Sequence, residues 1–386
     1  MKFTLIKNAN IVLETGIIYD GELLVCGNKI ADYGRAGEVT LPDEYETVDA
    51  AGAYVGPGFV DIHVHDGGDY STSFDTVKAA EFHLRHGTTS LLATPFYSMN
   101  FDTMMAAVKS LVENIDKAPT VKGIYFEGPY MNPNYGANAI KNPWRHGVKA
   151  EEYKQFVDLA GSLATVWAIA PEIENVAEFM EYCRKVNPNT IFAIGHTEAT
   201  PDEIRALSRF EPRIQTHTMC ATGRKTGRGR GTRNYGPDEY CWQNNDIYCE
   251  LISDSYCLHV SSDMQQLLIH TKGVDRVVLI TDHCIDVGET PAKYAHIKDL
   301  SFDPNGGLSG SRLTMNQAAL NIMRSTRCGI CEAFIMASTT PARAVGLGAE
   351  LGSIERGKLA DLVFVDDKFS VRRVMLGGEI VKYGIQ

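Results

Sequence analysis

Through the middle of the chain, short runs of apolar and β-branched residues alternate with longer segments in which apolar positions recur at i, i+3 and i+4. Eight runs have strand character: YVGPGFVDI at 54–62, SLLATPF at 90–96, VKGIYF at 121–126, TVWAIA at 165–170, TIFAI at 190–194, RIQT at 213–216, DIYCELI at 246–252 and RVVLIT at 276–281. Segments such as TVKAAEFHLRHG, NVAEFMEYCRKV and PDEIRALSRF lie between them with helical spacing. Eight strands with intervening helices over about 290 residues predict an α/β fold, a (β/α)8 TIM-type barrel rather than an open sheet.

The two ends of the chain read differently. Residues 1–53 hold FTLIKNANIVLETG, GELLVCGNKIADYG and YETVDAAG, short alternating strands separated by Gly and Asn-Lys turns, and LADLVFVDD and VRRVMLGGEIV repeat that style near the other end. Each piece alone is too small to bury a core. The expectation is therefore one small β-sandwich domain built from both termini, residues 1–53 plus 345–386, around a barrel domain spanning 54–344.

Composition narrows the class. With 44% hydrophobic and 22% charged residues, this is the make-up of an ordinary globular protein. Lys7, Asn8 and Asn10 break the N-terminal apolar run before it reaches signal-peptide length, and no stretch approaches a membrane span, so the expectation is a cytoplasmic protein with no membrane partner. Nine scattered cysteines read as reduced thiols rather than a disulfide framework, and the lone Cys328-x-x-Cys331 has no second pair to make a zinc site with. A net charge of −11 argues against nucleic acid as a partner. One segment runs against that balance: GRKTGRGRGTRN at 223–234 carries Arg224, Lys225, Arg228, Arg230 and Arg233 among four glycines. It reads either as a solvated loop or as a local anion site, where glycine admits backbone N–H groups to a phosphate and arginine binds it bidentately.

The candidate chemistry begins at VGPGFVDIHVHDGG, where His63 and His65 stand two apart at a strand end and therefore share a face. Imidazole nitrogens placed this way chelate zinc, iron and related metals. A His-x-His is weak evidence alone, and the ends of the other strands strengthen it. Glu127 follows the third strand, His196 the fifth, His217 the sixth and Asp282 the eighth. In a barrel of this type the C-terminal strand ends converge on one mouth, so six metal-competent side chains meet at one rim. His83, His86, His270 and His296 lie elsewhere and read as surface or structural residues, and His283 is expected to face away from the mouth.

These segments resemble the amidohydrolase superfamily and, within it, the N-acetylglucosamine-6-phosphate deacetylase family. The resemblance spans nearly the whole chain, through PGFVDIHVHDGG, EGPYMNP, GHTEAT, THTMCAT, LHV, TDHC, GLSGSRLTM and TTPARAVGLGAELGSIERGKLADLVFV. It implies a metal-dependent hydrolase of an acetamido-sugar phosphate, removing the N-acetyl group from N-acetylglucosamine 6-phosphate to leave glucosamine 6-phosphate and acetate in amino-sugar catabolism. The divalent metal, one or two per subunit, is zinc by this expectation, with iron, manganese and cobalt as alternatives. The resemblance implies that Glu127, His196 and His217 hold one metal and His63 and His65 a second, bridged by Glu127 or a water. It implies that Asp282 is a ligand and the proton shuttle, that His259 polarises the acetyl carbonyl or orients a hydroxyl, that Arg228 binds the phosphate, with Arg230 in reserve, and that the chain forms a homodimer.

Three departures from the family pattern touch the substrate side. Cys220-Ala221 stands where Asn-Ala is usual, with the backbone there expected to help bind phosphate. YGANAIKNPWRH puts Asn138 or Lys141 in place of a substrate-binding histidine, with His146 nearby, and DSYCLHV moves His259 relative to Asp254. Other functions compete, the first being the same chemistry on a different acetamido-sugar. A cyclic-amide hydrolase of the dihydroorotase type would need a lysine from the fourth strand, and TVWAIAPE has none. A non-catalytic scaffold would have lost ligands that this chain keeps.

Overall fold

The computed structural model describes residues 2–137, 139–225, 235–285 and 288–382. Eight parallel strands, Phe59–Val64, Thr88–Ala93, Val121–Phe126, Ala164–Ile169, Ile191–Ile194, Ile214–Gln215, Tyr248–Ile252 and Val277–Ile280, lie side by side in chain order. A helix follows each, from Thr76–Arg85 after the first to Met315–Thr326 after the eighth. The first and eighth strands close the ring at their C-terminal ends. There Asp282 N–H donates to His63 O at 3.0 Å, and the N–H groups of His65 and Asp66 donate to His283 O at 3.0 and 2.9 Å. The (β/α)8 expectation holds.

Both faces of each strand are covered, which is why the strands read as continuous apolar runs rather than clean alternation. On the third strand Ile124 and Phe126 face the helices, where Phe126 stacks on Trp167 with ring centroids 3.7 Å apart. Tyr125, between them, turns inward and stacks on His63 at 4.5 Å. Helix starts carry their own signals: Thr200 and Glu203 form a reciprocal capping box around Pro201, and Asn100 caps the helix Phe101–Asn114 through Thr103 N–H at 2.9 Å.

The expected first strand over 54–62 is two strands. Phe59–Val64 belongs to the barrel, whereas Tyr54–Pro57 pairs with Phe3–Leu13 and Leu362–Val365 in the sheet formed by the termini. Gly58 marks the switch, because a Cβ there would collide with Thr89. The terminal sheet has eight strands in one hydrogen-bonded array, drawn from residues 3–57 and 362–380. It curls on itself rather than splitting into two sheets: the turn at Gly378 meets Gly27 at the opposite end, and Ile30 and Met375 share one core.

Alternation on Leu362–Val365 sends Leu362 and Phe364 into that core and Val363 and Val365 against the barrel. The joint is anchored by Phe59, Phe334 and Phe369, whose rings lie 5.5, 5.4 and 6.3 Å apart pairwise, all buried. Gly56 is required beside them, since a Cβ would enter the Phe334 ring. Phe334→Ala should destabilise the protein by about 3–5 kcal/mol through the cavity it leaves. Urea unfolding measures this, and a loss under about 1 kcal/mol would mean that the joint repacks.

Candidate functional site

The strand ends deliver the six candidate ligands to one point. His63 and His65 face the same way, with ring centroids 5.3 Å apart. Glu127 leaves the third strand, and its Oε1 lies 2.9 Å from His196 Nε2, 3.1 Å from His217 Nε2 and 3.8 Å from His63 Nε2. His65 Nε2 lies 3.4 Å from the other Glu127 oxygen and 3.1 Å from Asp282 Oδ1. Three of these residues have left-handed backbones, His196 at φ 44°, His217 at 23° and Asp282 at 48°. For non-glycine residues that costs of order 1–3 kcal/mol each, retained because the turn is what aims the side chain inward. Gly136, itself at φ 102°, leaves room for the His196 ring, which a Cβ would approach to 2.7 Å.

The far nitrogen of every ring is committed. His63 Nδ1 bonds Glu250 Oε2 at 3.0 Å, His65 Nδ1 bonds Thr94 O at 2.9 Å, and His196 and His217 bond Tyr135 O and Cys220 O, both at 3.2 Å. Each acceptor takes the Nδ1 proton, so each Nε2 faces the carboxylates, with a lone pair for a metal or, where a carboxylate pairs with it, a second proton. The His196 and His217 Nε2 atoms are 3.0 Å apart, and His63 Nε2 and Glu127 Oε2 are buried with no hydrogen-bond partner among the described residues. Four converging lone pairs and a carboxylate fit a divalent metal, in two groups that share Glu127: His63, His65, Glu127 and Glu127, His196, His217.

The protonation of the ligands points the same way. Burial opposes charge on His65 and His217, yet the carboxylates of Asp282 and Glu127 raise both to about 9. Burial likewise opposes the Asp282 anion, and His65 and His63 nevertheless bring it down to about 2. The carboxylates at the mouth are thus ionised and call for a cation. Asp61 is different: burial lifts it to about 7, and it accepts the Thr281 hydroxyl at 2.5 Å, tying the first strand to the eighth.

Around the centre is a cavity of about 380 Å³, lined by His65, Glu127, His196, His217, His259 and Asp282, with Cys220, Ala221 and the segment Gly307–Gly310 on its sides. His259 bonds Asp254 through Nδ1 and Gly310 O through Nε2, both at 3.0 Å. His146 is not a substitute substrate ligand, because it pairs with Glu152 at 2.7 Å on the surface. Asn138, Arg228, Arg230 and Arg233 lie outside the described residues. Arg224 and Lys225 are paired with Glu239 and Glu203. His83 is fully buried rather than at the surface, donating through Nε2 to Asp66 O at 2.8 Å, and burial with the nearby His283 lowers it to about 3. His283 faces away from the mouth as expected, bonded to Leu313 O at 2.7 Å.

The sequence reading passed over Glu250 and Glu172. Glu250, fully buried in the seventh strand, also accepts His217 N–H at 3.1 Å, so one carboxylate fixes ligands of both groups. Its signal was a charge in the middle of the apolar run DIYCELI. Glu172, after the fourth strand, accepts from Asn132 at 2.9 Å, Thr197 at 2.5 Å and Glu198 N–H at 2.9 Å, and so braces the turn that carries His196.

The chain matches the sequence model of the Amidohydrolase family over residues 54–381. Among curated proteins it is 26% identical to the N-acetylglucosamine-6-phosphate deacetylase of Haemophilus influenzae, covering 98% of this chain and 99% of that one. It is 27% identical to the N-acetylgalactosamine-6-phosphate deacetylase of Shewanella sp., covering 84% of this chain and 82% of that one. The crystal structure of N-acetylglucosamine-6-phosphate deacetylase from Pasteurella multocida superposes with a TM-score of 0.84 at 25% identity, covering 99% of this chain and 100% of that one.

Mutating the carboxylate that accepts from the Nδ1 of a metal-ligating histidine typically costs about 10–100-fold in metal affinity, and an amide in its place keeps the acceptor but loses the charge. Glu250→Gln should therefore weaken metal binding by about that factor while the protein stays folded. Titrating metal-stripped protein reads it, with His63→Ala/His65→Ala as the reference that loses occupancy outright. Unchanged affinity in Glu250→Gln would mean that the charge of the residue plays no part in holding the metal.

Proposed function

The chain belongs to the amidohydrolase family, and from that premise we propose that it removes the acetyl group from N-acetylglucosamine 6-phosphate by hydrolysis, releasing acetate and glucosamine 6-phosphate. The observation that carries this reading is the set of four imidazoles with Nδ1 tied back and Nε2 turned to Glu127, with Asp282 3.1 Å from one of them. Such a set supports a hydrolytic centre with Asp282 as its proton carrier. A cyclic-amide hydrolase is disfavoured because the fourth strand, Ala164–Ile169, offers no lysine and Glu127 already joins the two ligand groups.

Glu127, His196 and His217 would hold one divalent ion, and His63 and His65, with Glu127, a second; such an ion supplies Lewis acidity and makes water nucleophilic near neutral pH. We favour zinc, with iron, manganese or cobalt able to serve. Asp282 takes the proton of the attacking water on its carboxylate and returns it to the amine nitrogen, without which the C–N bond has too poor a leaving group. His259, oriented by Asp254, meets the acetyl oxygen or a sugar hydroxyl with Nε2 in place of Gly310 O. Preorganised donors of this kind are worth a few kcal/mol where charge develops. Arg228 binds the phosphate, aided by the backbone at Cys220 and Ala221, and Asn138 takes the place of the family's substrate-binding histidine.

A second reading, the galacto epimer, is favoured by one observation: curated relatives with that name are as similar as those acting on the gluco form, 27% against 26% identity. The two sugars differ only at one hydroxyl, so acetate release from both 6-phosphates on metal-loaded enzyme separates them. Among the described residues no helix is long and apolar enough to cross a membrane. We place the enzyme in the cytoplasm as a homodimer, with an acetamido-sugar phosphate as its partner and no nucleic acid.

Asp282→Asn keeps the shape and removes the base, so turnover should fall by about 10²–10⁴-fold. Steady-state kinetics read this directly, and near-normal turnover would end the assignment. Losing a charged partner from a desolvated anion costs about 2–5 kcal/mol. Arg228→Ala should accordingly weaken catalysis on the phosphorylated sugar by at least about 30-fold and leave the unphosphorylated sugar little changed. A wild-type enzyme indifferent to the phosphate would remove the substrate assignment and leave a metal-dependent amidohydrolase.

A further inference from the structure

The catalytic cavity does not end at the metal ligands. A second hollow of about 280 Å³ continues it past His65, Phe96 and Ala137, which line both. Its outer wall comes from the loops after the first, second and eighth strands and includes Asp66, Ser71, Ser73, Ser98 and Cys284. Among the described residues that line it there is no lysine or arginine. Ser73 is 1% exposed, and its hydroxyl has no partner among the described residues.

The position of the hollow decides its use. Strand order sets the first and second strands across the barrel from the fifth and sixth. The cation-rich segment and Cys220-Ala221 follow the sixth strand. A substrate whose phosphate is read there and whose amide carbon sits at the ligands has one remaining substituent on that carbon, the acyl chain. It extends across the axis toward the first and second loops.

We infer that this hollow is an acyl pocket, and that the enzyme hydrolyses N-acyl glucosamine 6-phosphates with neutral acyl chains longer than acetyl, preferring a chain that carries a hydroxyl. The inference rests on the reading of the preceding subsection. The chemistry is the same hydrolysis: water oxygen bonds to the acyl carbon, the C–N bond breaks, the amine leaves with a proton, and the longer carboxylic acid is released. Each added heavy atom needs about the 30 Å³ that a water takes in the liquid, so the hollow has room for several. Ser71, Ser73 and Ser98 offer hydroxyl partners, and Asp66 opposes an acyl chain ending in a carboxylate.

The test measures amine release from the N-acetyl, N-butanoyl, N-(3-hydroxybutanoyl) and N-succinyl derivatives of glucosamine 6-phosphate. Expected is a kcat/KM for the butanoyl compound within about tenfold of the acetyl compound, the hydroxybutanoyl compound at least its equal, and the succinyl compound lower by at least about tenfold. Acetyl turnover with butanoyl more than tenfold lower overturns the pocket and leaves the deacetylase reading standing. No turnover of any of the four overturns both. Ser98 is exposed, so Ser98→Phe should fold and narrow the hollow, sparing the acetyl compound and slowing the butanoyl compound by about tenfold or more. Equal loss on both substrates, or loss on neither, also overturns the pocket.

Discussion

The structure turns on a buried carboxylate. Glu127 is 3% exposed and surrounded by His63, His65, His196 and His217, none of which can neutralise it while its Nε2 carries only a lone pair. A buried anion without compensation costs several kcal/mol, and Asp282 adds another within the same few ångströms. Protons on the imidazoles supply part of the compensation, which is why His65 and His217 sit near 9. A divalent cation supplies it at fixed geometry. The same electrostatic demand that would destabilise the mouth of the barrel is therefore what selects a metal there.

Meeting that demand needs side chains from five strands held in one place, and the barrel provides the frame. Its strands are pinned at both ends: Asp282 N–H to His63 O closes the ring at the mouth, and the Phe59, Phe334 and Phe369 cluster locks its base to the terminal sheet. The left-handed turns at His196, His217 and Asp282 add local strain, and each is over-determined by neighbours. Glu172 and Gly136 hold the first, Glu250 and the Cys220 carbonyl the second, and Gly310 packs on the third. Stability gathered in the apolar layers is spent at the rim.

The sequence made the architecture and the ligand set legible for one reason: in a parallel barrel both are written at strand ends. His63, Glu127, His196, His217 and Asp282 each follow an apolar run, and one geometric rule carries all of them to the mouth. What escaped was non-periodic. Glu250 lies inside a strand, where the apolar run hides a charge whose partners come from the first and sixth strands. The break between Tyr54–Pro57 and Phe59–Val64 was invisible because both halves are apolar, and only the packing of Gly58 on Thr89 separates them. His83 read as either a surface or a structural residue, because nothing local announces that its helix face packs under Asp66 and His283.

A chain of formal charge −11 that acts, as proposed, on a phosphorylated sugar would have to read the anion far from its own carboxylates. The described cations of the basic segment are already matched, Arg224 by Glu239 and Lys225 by Glu203, so their charge is largely offset before any ligand arrives. This shifts the proposed phosphate role onto Arg228 and its neighbours. It also explains the layout of the cavity. Were the anion held beyond the sixth strand and the reacting carbon at Glu127, the acidic and hydroxyl-lined side at Asp66 and Ser71 would be left for whatever hangs from that carbon and carries no charge. Charge at one end and its absence at the other would fix the direction in which the substrate lies.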